Sequence, residues 1–70
     1  MATFIVEIRN SDNGWRWTRH QTFLGAHEAL SRAREAATER SVDTGDQARV
    51  RTGAGDVVFG TRGHDHEARP

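Results

Sequence analysis

The stretch Thr3-Phe-Ile-Val-Glu-Ile-Arg-Asn-Ser-Asp-Asn-Gly-Trp-Arg-Trp17 decides the fold. Its opening segment alternates, with Phe4, Val6 and Ile8 on one side of an extended chain and Ile5, Glu7 and Arg9 on the other. That is the period-two pattern of a half-buried strand. Asn10 to Gly14 then concentrates turn formers, and Asn13-Gly14 is the pair a tight hairpin prefers, because both residues tolerate positive φ. A return strand from Trp15 closes a β-hairpin. Whether the loop is centred on Asn13-Gly14 or runs from Ser11 to Gly14, odd residues of the return strand share a face with even residues of the first. Trp15 and Trp17 are therefore expected in the core beside Phe4, Val6 and Ile8, with Arg19 on the same parity near the strand end. Arg16, Thr18 and His20 are expected on the opposite face, beside Glu7 and Arg9.

Beyond the hairpin the period becomes helical, from about Gly25 to Arg40. Ala26, Ala29, Leu30, Ala33 and Ala37 make one narrow apolar stripe, and Glu28, Arg32, Glu35 and Glu39 surround it. Glu28 lies in the first turn, where the helix dipole favours an anion, and precedes Arg32 by one helical repeat. A stripe of alanines buries little area itself but lets the helix approach a sheet that carries the bulk. Ser41 to Gln47 is polar and contains Gly45, so a loop is expected there, with Val42 tucked beneath it. Ala48 to Thr52, a Gly53-Ala54-Gly55-Asp56 turn and Val57 to Arg62 form a second hairpin, with Val50, Val57 and Phe59 inward. Arg49, Arg51, Val58 and Arg62 then point away. Gly63 to Pro70 has no large apolar residue and is expected to be a disordered polar tail.

The architecture implied is α+β: a single ββαββ domain over residues 1–62, with one antiparallel four-stranded sheet and a single helix packed on one face. A chain of 70 residues leaves no room for a second domain and buries only a modest core, so each large apolar side chain matters. Cysteine is absent, which excludes disulfides, thiolate metal sites and a cysteine nucleophile, and fits a reducing compartment. Without a leader pattern or an apolar run of membrane length, the expected location is the cytoplasm, with no membrane partner. Ten acidic residues balance ten basic ones, so any electrostatic role must come from how charge is distributed. All the bases are arginine, a planar, permanently charged group suited to bidentate contacts.

With one helix, the other sheet face meets water or a partner. The candidate binding face is Arg9, Arg16, Thr18, His20, Arg49, Arg51, Val58 and Arg62, opposed by Glu7 and Asp56 and interrupted by Ile5. Arginine stems can simply solvate such a face. Alternatively the face docks something anionic, an acidic protein surface or a phosphate backbone. Isoleucine and valine among arginines suit a protein better than a phosphodiester track. Aromatics assigned to the core likewise weigh against a single-strand stacking platform, although nucleic acid stays open as an alternative. No catalytic residue, cofactor or metal is expected. His64-Asp65-His66 lies in a tail with no scaffold to fix coordination geometry, Gly53-Ala54-Gly55 lacks the helix and lysine of a phosphate loop, and the serines sit outside any nucleophile context.

Gly14-Trp15, Phe23, Glu28-Ala29-Leu30, Ala33-Arg34-Glu35-Ala36-Ala37, Val50-Arg51-Thr52 and Gly55-Asp56-Val57-Val58 together resemble the small bacterial family called domain of unknown function 2188. The resemblance covers residues 4 to about 60 and implies a tryptophan hairpin, a helix and a closing strand pair, with no catalytic assignment. In format alone, the chain is also similar to phage-encoded inhibitors such as anti-CRISPR proteins, which block a host nucleoprotein complex. The function expected first is a small non-enzymatic protein-binding module that uses its Arg-rich sheet face or a sheet edge on an acidic partner. Homodimerisation is left open, since it would also support so small a core.

Overall fold

A computed structural model describes residues 2–25 and 27–61. Strand β1 (Ala2–Arg9) leads through a short 3₁₀ turn (Ser11–Asn13) to β2 (Thr18–Gly25), helix α1 (His27–Thr44), β3 (Gln47–Thr52) and β4 (Val57–Gly60). The strands form one antiparallel sheet in the order β2-β1-β3-β4, with α1 against one face. The ββαββ architecture expected from the pattern is therefore present, and the hairpins meet through their first strands. Arg62 and the tail expected from Gly63 to Pro70 lie outside the described residues.

Val6 and Val50 face each other across the central β1–β3 ladder and are fully buried. Ile8, Ala33, Ala37 and Ala48 complete the buried core, with Phe4, Phe23, Leu30, Ala36 and Phe59 packed around it. Each fully buried valine contributes on the order of 1.5–3 kcal/mol. Ala29, Ala33 and Ala37 are buried along one side of α1, as the stripe implies, so the helix backbone lies close to the strands.

Helix α1 continues past Arg40 through Ser41–Thr44, a segment expected to be loop. No glycine or proline interrupts it before Gly45, which takes φ +79 and donates its N–H to the Ser41 carbonyl at 2.8 Å, a left-handed C-terminal cap. Ser41 is consequently buried on the sheet side, while Val42 is 70% exposed rather than tucked under.

The first hairpin departs more from expectation. Asn10 caps the 3₁₀ turn: its side chain accepts from the Asn13 N–H, the Asn13 side chain accepts from the Asn10 N–H, and Gly14 closes the turn in the left-handed region. Trp15 follows at φ 60, its N–H bonded to the Asn10 carbonyl at 2.8 Å. The ladder starts only at Thr18, and Trp15, expected in the core, is 55% exposed.

Candidate functional site

Each edge strand carries a one-residue irregularity, and together these define the open face. In β2 the register runs Phe4↔Phe23, Ile5↔Thr22 and Val6↔Gln21, then shifts to Glu7↔Arg19 and Ile8↔Thr18, leaving His20 as the extra residue. Such a bulge exchanges the faces of everything beyond it. Thr18 therefore turns to the helix side with Ile8, and Arg19, expected inward, turns to the open side with Glu7. Trp17, the next residue back, also lies on the open face instead of in the core. In β4, Val50↔Phe59 is followed by Arg51↔Val57, with Val58 as the extra residue. Val57, expected inward, thus shares the open face with Arg51 and is 54% exposed.

At one end of the open face the end of β1, the start of β3 and the end of β4 meet Trp17. Glu7 is the buried anion there. The Arg49 Nε–H donates to its Oε1 at 2.7 Å, and Arg51 Nε lies 3.1 Å from its Oε2. Arg49 stands directly across the ladder from Glu7, and Arg51 stands diagonally, opposite Ile5. Burial alone would raise the Glu7 pKa, but the hydrogen bonds and charges of Arg49 and Arg51 outweigh it and hold the carboxyl below its ordinary 4.5. Arg9 donates through Nε to Gln47 Oε1 at 2.7 Å. The guanidinium carbons of Arg9 and Arg49 lie 4.6 and 4.2 Å from the centroid of the Trp17 ring, within cation–π range.

Three guanidiniums are thus fixed in place by Glu7, Gln47 and Trp17. A guanidinium has five N–H donors, and these contacts engage Nε, so further donors remain for an external acceptor. Against the single carboxylate of Glu7, the cluster is a net cationic patch whose side chains are held by one another's contacts.

Of the expected binding residues, Arg9, Arg49 and Arg51 are brought together. Arg16 is exposed in the connection before β2 and belongs to no strand. Thr18 is on the helix side of the bulge, where its hydroxyl donates to the Arg16 carbonyl and accepts from Asn13 Nδ2. His20 and Val58 occupy the bulges and are exposed. Sequence reasoning missed Trp17, Val57, Gln47 and Gly60 as members of this surface. The one available signal was Gly60 itself, since a glycine inside a strand marks a bulge or a close approach.

A second polar cluster lies behind this end of the sheet and is structural. Asn10 Nδ2 and Arg40 Nε donate to the two carboxylate oxygens of buried Asp46 at 3.0 and 3.1 Å, and Ser41 Oγ donates to its backbone carbonyl at 2.8 Å. Burial opposes ionisation of Asp46, yet hydrogen bonds from Asn10, Arg40 and Thr44 and the charge of Arg40 keep its pKa below the ordinary 3.8. It ties the end of α1 to the β1 turn and the start of β3.

Among the described residues no group of histidine and carboxylate side chains could hold a metal ion, and no helix is long and apolar enough to cross a membrane. His64 and His66 lie outside those residues. In comparisons with known proteins, no family model, curated protein or solved structure matches the chain.

Proposed function

We propose that the chain is a small, non-enzymatic, cytoplasmic binding module that docks an acidic segment of a partner protein on its open sheet face. The observation that carries this is the convergence of Arg9 and Arg49 on Trp17, with Arg51 beside them, on the side that α1 leaves uncovered. Ordered arginines around an aromatic ring combine the residue types that dominate binding energy at protein interfaces. Their anchoring by Glu7 and Gln47 lowers the side-chain entropy lost on docking. Convergence at one place also suits a local carboxylate cluster better than a phosphate backbone, which calls for cations spread along a track.

One observation favours a second function. Trp17 stands on the cationic face, where single-strand binders place their stacking aromatics. The two uses separate in one experiment, in which wild-type protein and an Arg9→Gln/Arg49→Gln variant are used to capture partners from native lysate, with and without nuclease. Circular dichroism establishes beforehand that the variant is folded. Protein docking predicts a partner retained by wild type alone and indifferent to nuclease. Equal capture by both forms would remove the arginine face from the function, and nuclease-sensitive capture would move nucleic acid to first place.

A further inference from the structure

The arginine and tryptophan cluster borders a hollow of about 480 Å³, walled by Arg9, Arg49, Trp17, Val57 and Thr61 and floored by Gly60. The hollow exists because β4 places a glycine opposite Arg49, where any other residue would send its side chain onto the open face. Neither conformation nor packing calls for that glycine. Gly60 is not among the positive-φ residues, and a Cβ built on it meets nothing nearer than the Ala48 carbonyl oxygen at 3.9 Å, an ordinary contact. A glycine in a strand that the fold does not require leaves room for something from outside.

We infer that this hollow is an anchor pocket for one apolar side chain of an extended acidic peptide, whose neighbouring carboxylates meet Arg9 and Arg49. The inference rests on the docking function proposed for the same face and adds the chemistry of the occupant. Charge complementarity sets the acidic part, since three arginines face a single carboxylate at this end of the sheet. The walls set the apolar part: Val57 is 54% exposed and the Trp17 ring lines the same hollow. A nucleobase would need the Trp17 ring for stacking, and two guanidiniums already approach it within 5 Å. An apolar anchor seated among fixed cations is the arrangement of an interface hot spot ringed by polar contacts.

The test is selection of a random dodecapeptide display library on wild-type protein. Synthetic peptides of the enriched sequences are then titrated against wild type, Gly60→Leu and Arg9→Gln, all in a Trp15→Phe background so that Trp17 alone reports. Oligo-thymidine is titrated in parallel. Enriched peptides should place Asp or Glu next to Leu, Ile or Phe. Filling the hollow with Gly60→Leu should weaken them by about tenfold or more with the melting temperature little changed. Should Gly60→Leu fail to fold, Gly60→Ala, whose Cβ would meet nothing nearer than the Ala48 carbonyl at 3.9 Å, should still lower affinity several-fold. Acidic peptides that bind the Gly60 variants as tightly as wild type would overturn the anchor pocket and leave docking on the face intact. Enrichment without an acidic and apolar pattern, or no enrichment at all, would overturn the anchor pocket as well. Oligo-thymidine that quenches Trp17 and displaces the peptides would overturn both proposals.

Discussion

Glu7→Gln isolates the contribution of the buried carboxylate that holds Arg49 and Arg51 on the open face. Glutamine preserves shape, and its oxygen can still accept from Arg49, but its amide hydrogens then confront Arg51 and two guanidiniums lose their counter-charge. The Glu7 side chain is 9% exposed, against 26% for Arg49 and 27% for Arg51. The pair thus falls between an exposed ion pair, worth ~0–1 kcal/mol, and a buried one, whose disruption costs ~3–5 kcal/mol, so a loss of about 2–3 kcal/mol is expected. For a domain of this size that is a fall in Tm of roughly 10–20 °C. The loss has a pH signature. The folded-state pKa of Glu7 lies below 4.5, so its stabilisation is fully present above that value and disappears as pH falls through the depressed folded value. Glutamine does not titrate, so the stability gap between wild type and variant should be widest at neutral pH and close in acid. Asp46, also held below its ordinary pKa, is common to both proteins and does not alter the gap. Urea unfolding followed by circular dichroism at a series of pH values measures it. Equal midpoints at neutrality, or a gap that stays constant through the acid limb, would refute the ion-pair account of this face.

Trp15 holds φ 60, a conformation that costs an L-residue about 1–2 kcal/mol, while more than half of its surface is exposed. Trp15→Asn, which tolerates that region, should raise the melting temperature by a few degrees; a fall would show that the indole packs usefully against the turn. Ala33 is fully buried between α1 and the sheet, so Ala33→Leu should force the helix outward and destabilise the domain by about 1–3 kcal/mol. An unchanged urea midpoint for Ala33→Leu would mean that the helix does not need to lie so close.

The central elements were legible because their patterns are unambiguous. Phe4, Val6 and Ile8 alternate with Ile5, Glu7 and Arg9, and Ala48 and Val50 alternate with Arg49 and Arg51, so both middle strands present the faces their sequences imply. Each is paired on both sides, which leaves no freedom to slip. The alanine stripe likewise identified the buried side of α1. Its end was misjudged because Ser41 to Thr44 is polar, and polarity alone does not stop a helix; Gly45 does, through its left-handed conformation.

The edge strands failed for a physical reason that bears on function. Alternation reports register only where apolar and polar residues actually alternate. Thr18-Arg19-His20-Gln21-Thr22 is polar throughout, so nothing in it opposes the extra residue at His20. Val57-Val58-Phe59 is apolar throughout and is equally silent about the extra residue at Val58. With one side unpaired, an edge strand accepts a bulge without disturbing a second ladder. The consequence is specific: the bulge at His20 carries Trp17 from the core parity to the cationic face, and the one at Val58 does the same for Val57. Without those two slips the open face would carry Arg16, Thr18 and His20 in place of Trp17, and Val58 in place of Val57. With them an aromatic ring and Val57 stand beside the Gly60 hollow, and the proposed docking rests on that juxtaposition.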